Sequence, residues 1–251
     1  MGKRRLDTLL AERGLYESRS RAAAAVMAGE VAIGGDGRRA DKPGQMVADD
    51  AELVVAEGPR YVSRGGIKLA NALDGFALDP TGLRCMDVGA STGGFTDCLL
   101  ARGAREVVAL DVGHGQLHPR IRADPRVVVL ERTNVRTATT ATIGGPVDVV
   151  VVDVSFISLR VITPVLVTLC QPGSPMVLLV KPQFEAGKAE VDRVRGVIVD
   201  PVIHERVRHE VAAALVDAGC TVAGWVDSPI LGGHGNREFL VHAVVGPGGA
   251  R

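Results

Sequence analysis

The chain has 251 residues, 46% of them apolar, enough to bury a sizeable core and to hold more than one domain. Lys+Arg and Asp+Glu balance at 29 each, so no global charge advertises a nucleic-acid partner, and the distribution of charge matters more than its sum. The four cysteines (Cys85, Cys98, Cys170, Cys220) show no paired spacing, which argues against a zinc site or a disulfide scaffold. The N-terminus lacks the apolar core of a secretory signal, and no run reaches the roughly 18 apolar residues that span a bilayer. A cytoplasmic protein without stable membrane insertion is therefore expected.

Residues 4–13 place Leu6, Leu9 and Leu10 on one helical face, with Gly14 as the stop. Ser18 or Ser20 caps a second helix that runs to Gly29. Short strands at 31–33 and 52–55 follow, joined by turns that include Gly34-Gly35-Asp36-Gly37. This is a small α+β module, and its first 21 residues carry six basic side chains against three acids. Arg4, Arg5, Arg19 and Arg21 are placed on its helical side. Such a run is usually a solvated face, yet forked guanidinium pairs also suit phosphate.

The run Arg5-Leu6-Asp7, Leu9-Leu10, Arg13-Gly14-Leu15, Ser18-Arg19, Ala22, Gly29-Glu30-Val31 and Ile33-Gly34-Gly35 resembles the RNA-binding module named after ribosomal protein S-four. In that module the paired helices face RNA. The resemblance implies that Arg4, Arg5, Arg19 and Arg21 contact RNA, and Arg60 and Arg64, in a second basic stretch, are expected to contact it as well. Gly58-Pro59 breaks the chain. The expected organisation is 1–59 as the RNA-binding domain, 60–63 as a linker and 64–251 as a second domain.

Within the second domain the chain is organised around Cys85-Met86-Asp87-Val88-Gly89-Ala90-Ser91-Thr92-Gly93-Gly94-Phe95-Thr96. An apolar run ends in an acid and turns through small residues into a helical pattern, as a first strand hands over to a helix in an open α/β sheet. Asp111 closes the next apolar run about 20 residues on, where a carboxylate accepts from both ribose hydroxyls of a nucleoside cofactor. A helix precedes the first strand from Arg64, with Lys68 among its apolar positions, where a stem covers apolar surface and the head reaches water. Helix 95–102, strand 107–111 and strand 126–130 follow. Between them, His114 and His118 lie in a loop without metal spacing and read as solvent-exposed. Asn134 lies where an adenine edge would be met.

Strand 147–153 is a near-continuous apolar run. Helix 159–169 has Pro164 near its start, and strand 175–180 leads into the loop Lys181-Pro182-Gln183-Phe184-Glu185. Residues 186–199 read as a loop-rich, charged lid. Asp200-Pro201 opens a helix to Ala218, and strands 221–227 and 238–245 form a final antiparallel pair around the Gly232–Asn236 loop. Five alternating strands plus a terminal pair make the pattern of the seven-stranded, Rossmann-like S-adenosylmethionine methyltransferase sheet. That fixes the expected fold class as α/β with a small α+β module in front.

Asp153, Lys181 and Glu238 fall at strand ends facing the ligand crevice, and Lys68 precedes the first strand. Singly they are a turn acid, a solvated lysine, an edge-strand gatekeeper and a snorkelling lysine. In the order Lys68, Asp153, Lys181, Glu238 they match the tetrad of FtsJ-type ribose 2′-O-methyltransferases. Arg64-Gly65-Gly66-Ile67-Lys68-Leu69, Asp87–Thr96, Asp153-Val154-Ser155-Phe156-Ile157-Ser158 and Lys181–Glu185 together resemble the haemolysin A (TlyA) family over nearly the whole chain. The resemblance implies methylation of a cytidine 2′-hydroxyl in 16S and often 23S rRNA of ribosomal subunits, by a monomer. It also implies an influence on capreomycin-type antibiotic sensitivity. Expected cofactor contacts are Asp87, Gly89, Ala90, Ser91, Thr92, Gly93, Gly94, Phe95, Asp111, Asn134, Asp153 and Phe156, the last either stacked on adenine or a core aromatic. Lys181 is expected on the hydroxyl, Asp153 and Glu238 orienting it and Lys68 supporting, with no metal and no DNA. Three alternatives stand beside this. A nicotinamide oxidoreductase would need a fuller dinucleotide fingerprint. A base amino-methylase would need a Pro-Pro-aromatic run after the fourth strand. A membrane-lytic haemolysin is suggested by the family name alone.

Overall fold

The computed structural model describes residues 2–35, 38–55 and 60–247; the Asp36-Gly37 turn and the Gly58-Pro59 break lie outside them. The chain divides into two compact units, Met1–Arg60 and Tyr61–Arg251.

The first unit runs β1 (Lys3–Arg5), α1 (Leu6–Glu12), α2 (Arg19–Ala28), β2 (Val31–Ile33), β3 (Arg38–Arg39), β4 (Met46–Ala48) and β5 (Leu53–Val55). Leu6, Leu9 and Leu10 are buried with Ala22 and Val26, so the apolar stripes of the two helices make this unit's core. Helix α1 starts two residues later than its periodicity suggests. Lys3–Arg5 instead pairs antiparallel with β4, which satisfies backbone groups that a longer helix would leave open at its N-terminus. Neither β1 nor β4 was evident from the pattern, because three-residue strands carry too few alternations. Ser18 rather than Ser20 caps α2, its Oγ accepting from Arg21 N–H at 3.2 Å.

The second unit contains α3 (Gly65–Gly75), β6 (Arg84–Val88), α4 (Gly94–Ala101), β7 (Glu106–Leu110), α5 (Pro119–Arg122), β8 (Val127–Leu130), α6 (Thr140–Ile143), β9 (Val149–Val152), α7 (Leu159–Thr168), β10 (Pro175–Val180), α8 (Pro182–Glu185), α9 (Lys188–Arg193), α10 (Pro201–Asp217), β11 (Cys220–Asp227) and β12 (Phe239–Val245). One seven-stranded sheet has the order β11-β12-β10-β9-β6-β7-β8. The five strands from β6 to β10 are parallel, and β12 runs antiparallel to both neighbours, inserted between β10 and β11. The alternation of elements announces the parallel strands and the closing hairpin; the insertion of β12 is set by the sheet.

The sheet is covered on both faces. Val150 and Val152 of β9 belong to one buried cluster and Val149 and Val151 to another, the two-residue period of a strand with apolar layers above and below. Three local readings differ from expectation. Tyr61 is 3% exposed and Val62 N–H donates to Asp97 Oδ2 at 2.8 Å, so the segment read as a linker packs against α4. Pro164 falls inside α7 rather than at its start; it lies on the exposed face, where the carbonyl it leaves free can turn to water. The 186–199 stretch contains α9, and its end is tied to the Gly232–Asn236 loop by Asn236, whose Oδ1 accepts from Ile198 N–H and whose Nδ2 donates to Gly196 O, both at 2.9 Å.

Strand order reverses between β6 and β9, making their carboxyl ends the switch point where an open α/β sheet forms a crevice. There Gly89 has φ +85, and a Cβ on it would lie 2.4 Å from Asp153 O. Asp87, at the end of β6, is fully buried; its Oδ2 accepts the Thr96 N–H at 2.9 Å and hydroxyl at 2.7 Å, anchoring the start of α4. Burial pushes this carboxyl up to about 7, the Thr96 hydrogen bonds opposing and the Asp153 charge adding to the rise.

Two outcomes follow from this turn. Gly89→Ala combines a disfavoured φ with a backbone clash and should destabilise the chain by about 1–3 kcal/mol, read as a lower urea midpoint at unchanged slope. For Asp87 the folded-state value lies above the unfolded one, so the folded state holds the proton more tightly. Stability is therefore lost as pH rises from about 4, the free-carboxylate value, to about 7. Asp87→Asn should remove that component. Urea titrations at pH values bracketing this window would show a smaller loss in the variant, and equal losses would contradict the assignment.

Candidate active site

Three clefts open along the carboxyl edge of the sheet. The first is lined by Gly89, Ala90, Ser91, Thr92, Gly94 and Phe95 of the glycine turn, with Ser63, Gly65, Asp153, Ser155 and Lys181 around them. The second, about 460 Å³, is walled by Leu110, Val135, Val154 and Ile157, with Asp111, Asn134 and Gln116 as polar groups. The third, about 290 Å³, lies between Phe156, Phe184, Gln183, His234, Asn236 and Glu238. Ser155 lines all three, and Lys181 lines the first and third. The junction of the clefts is thus a lysine and a serine.

The parallel pairing of β6, β9 and β10 explains why residues so far apart in sequence meet here. Asp153 leaves β9 with its N–H on Val88 O at 2.9 Å, and Lys181 follows the last residue of β10. Lys181 Nζ sits 2.6 Å from Asp153 Oδ1 and donates to Ser155 Oγ at 3.1 Å. The Phe184 ring centroid is 5.8 Å from the same nitrogen, within cation–π range.

Lys68 and Glu238 make a second pair, Nζ to Oε2 at 2.5 Å, with side chains only 10% and 2% exposed, respectively. The alternative for Lys68, a head that reaches water, is not what the structure shows: α3 faces the sheet, and the ammonium enters the core because a buried carboxylate waits there. Glu238 contacts Lys68, whereas Asp153 contacts Lys181. The tetrad read from the sequence is assembled as two ion pairs, one at the cleft junction and one behind the third cleft.

The expected cofactor residues divide in two. Gly89 to Thr92, Gly94, Phe95, Asp111, Asn134, Asp153 and Phe156 all line the first or second cleft. Asp87 and Gly93 line neither. Asp87 is turned into the core towards Thr96, and Gly93 (φ +92) packs against Leu117 and Ile121 at the start of α4. Both shape the turn from beneath. Asp111 accepts Ser91 N–H at 2.8 Å on one oxygen and Gly113 N–H at 2.6 Å on the other, which fixes its plane at the cleft rim. Each oxygen keeps a lone pair for a ribose hydroxyl.

Phe156 is no core residue. It is 92% exposed, held at φ +65, and its ring centroid is 5.1 Å from that of Phe184. Ser155 and Gln116 were missed as site residues. Ser155 stood inside the quoted Asp153–Ser158 motif, but nothing in its spacing tells it from a turn serine. Gln116 sat in a loop read only for its histidines. Of those, His114 pairs with Glu131 at 2.9 Å, and its side chain is 61% exposed, as expected.

The basic residues of the first unit are organised rather than free. Buried Asp7 takes Arg5 at 2.7 Å and Arg19 at 3.2 Å, and these guanidiniums hold its carboxyl well below the usual range. Arg4 pairs with Glu12 and, at 3.0 Å, with Asp49. Arg21 is exposed on α2, and Arg60 is exposed at the end of the unit. Arg4 and Arg5 come from β1, not from a helix. Arg64, in the second unit, donates to Leu231 O.

The clefts fit an elongated nucleoside cofactor. The second has an apolar slot with a carboxylate at its rim, the first is a polar glycine turn with room for a backbone-like tail, and they join at Asp153 and Ser155. Among the described residues no group of side chains has metal-ligand geometry, and no helix is long and apolar enough to cross a membrane.

A profile of the FtsJ-like methyltransferase family matches residues 61–244, and an S4 domain profile matches residues 4–53. The chain is 49% identical over 239 residues to the 16S/23S rRNA (cytidine-2′-O)-methyltransferase TlyA of Mycobacterium tuberculosis, covering 94% of this chain and 88% of that one. It is 37% identical to hemolysin A of Brachyspira hyodysenteriae, covering 96% of this chain and all of the other. A solved structure described as a hemolysin from Streptococcus thermophilus superposes with a TM-score of 0.74 at 45% identity, covering 98% of this chain and 90% of that chain. The oxidoreductase alternative falls with these matches. The profile over residues 61–244, the S4 match in front of it and the relatives over nearly the whole length show that this chain belongs to the FtsJ-like, S-adenosylmethionine-dependent methyltransferase family, together with TlyA and hemolysin A.

Proposed function

We propose that this chain methylates the 2′-hydroxyl of a cytidine ribose in 16S and 23S rRNA, acting on ribosomal subunits as a cytoplasmic monomer. In this reading residues 1–59 grip the RNA and 64–251 carry the transfer, with 60–63 joining them while Tyr61 and Val62 pack on α4. The observation that carries it is Lys181, held by Asp153 and Ser155 where the cofactor clefts open into a third cleft of about 290 Å³.

Bound S-adenosylmethionine supplies a methyl carbon made electrophilic by its sulfonium. Asp111, Asn134 and the Gly89–Thr92 turn would hold the nucleoside and its tail. A ribose hydroxyl is a weak nucleophile at neutral pH and needs help with its proton. Entering from the third cleft, it meets Lys181 Nζ. The lysine orients the oxygen and stabilises the negative charge that builds on it, and the Lys181–Asp153 pair shares the departing proton. Phe156, exposed against Phe184, offers a face on which the nucleobase stacks while its sugar rests against Lys181. The buried Lys68–Glu238 pair keeps the wall of that cleft in place. Positioning supplies much of the rate, since few bonds must be rearranged by the protein.

Transfer of labelled methyl from S-adenosylmethionine to unmethylated subunits should place label on ribose, mapped by reverse-transcription stops at low nucleotide concentration. Lys181→Ala should lower that rate by about 100-fold or more while S-adenosylmethionine still binds. Label on a base, or none on either subunit, would overturn the ribose reading. Arg21→Ala should weaken binding to subunits and reduce the slope of log affinity against log salt by about 1, leaving cofactor affinity unchanged.

A further inference from the structure

Glu185 closes the motif Lys181-Pro182-Gln183-Phe184-Glu185, and no step above uses it. It is 3% exposed. Its carboxylate reaches from the end of α8 to the start of α7, where Oε2 accepts the Ser158 hydroxyl at 2.5 Å and Oε1 accepts Leu159 N–H at 2.7 Å. Ser158 caps α7 in turn, accepting from Arg160 N–H at 3.2 Å. Arg160 then closes the ring: Nη2 donates to the backbone carbonyl of Glu185 at 2.8 Å, and Nη1 is anchored on Glu210 at 2.9 Å.

The two segments joined in this way build the reacting end of the site. Residues 153–158 carry Asp153, Ser155 and Phe156; residues 181–185 carry Lys181 and Phe184. Their strand-side ends are set by the sheet, and Glu185 joins their far ends. The 153–158 segment needs that second anchor, because Phe156 at φ +65 occupies a backbone region that a bulky residue keeps only under constraint.

We propose that Glu185 is a positioning residue for methyl transfer: it holds the 153–158 segment against Lys181, so that Asp153 and Ser155 both stay on the lysine nitrogen. This rests on the assignment of Lys181 given above. Replacing the carboxylate by an amide keeps one half of the tie, since Gln Oε1 can still accept from Leu159 N–H while Ser158 Oγ, already accepting from Arg160 N–H and Nε, has no lone pair left for the amide, whereas Ala removes both halves.

The test uses the full chain with unmethylated ribosomal subunits and S-adenosylmethionine, comparing wild type, Glu185→Gln, Glu185→Ala, Ser158→Ala and the core variant Leu215→Ala, with melting temperatures alongside. Glu185→Ala should lower kcat by about ten- to a hundredfold, the loss expected of a small misplacement, with KM for subunits unchanged. Glu185→Gln and Ser158→Ala, each keeping the hydrogen bond from Leu159 N–H, should fall between wild type and Glu185→Ala. Leu215→Ala should lose melting temperature and keep kcat. A wild-type kcat in Glu185→Ala, or a kcat loss that follows melting temperature equally in Leu215→Ala, overturns the proposal. Failure of the underlying reading looks different: Lys181→Ala would stay active, whatever Glu185 does.

Discussion

The turn after β6 must lie directly on the exit of β9, and everything at the site depends on that contact. At Gly89 there is no room for a side chain, because a Cβ would sit 2.4 Å from the carbonyl of Asp153. The backbone can close this gap only with a residue that tolerates φ +85. Closing it brings the floor of the first cleft against the carboxylate that holds Lys181. The sheet makes the approach possible, since β6 and β9 are parallel neighbours at the point where strand order reverses. Their apolar side chains, buried on both faces, keep the two carboxyl ends level.

Charge in this site is handled by pairing. An ammonium or carboxylate taken out of water is costly unless it meets an opposite charge in good geometry. Lys68 and Glu238 are nearly excluded from solvent and meet each other; Lys181 and Asp153 meet at the cleft junction, their side chains 11% and 23% exposed. The same rule shapes the first unit, where one buried carboxylate, Asp7, collects two guanidiniums and fixes their directions. Part of the backbone strain lies in the same place. Ser91, Phe156 and His234, three of the six non-glycine residues with positive φ among the described residues, line these clefts. Such conformations persist where surrounding hydrogen bonds over-determine them.

Much of this was legible beforehand because it is local. Alternating apolar runs and helical periodicity mark the parallel strands and their crossovers, and glycine-rich turns punctuate them. Asp153, Lys181 and Glu238 stand at strand ends, which a reader can count, and much of the first cleft is the glycine turn that follows β6. The terminal hairpin is visible as two strands without a helix between them. Three-residue strands such as β1 and β4 are not visible, because each is too short to show a period and exists only through its pairing partner.

The sequence by itself determined the two-unit order, the α/β sheet, the glycine turn and which polar residues stand at the carboxyl ends of strands, since these follow from short-range periodicity and turn chemistry. Only the tertiary structure decided who pairs with whom. Lys68 takes Glu238 and Lys181 takes Asp153 because helix α3 packs on one side of the sheet and β10 lies beside β9. Asp87 turns inward to Thr96 instead of towards the cleft, and Phe156 turns outward into solvent beside Phe184, because side-chain direction is set by the packing around each residue and not by its spacing. Pairing of charges across such distances depends on burial and on strand order, and neither is written in the spacing of residues along the chain.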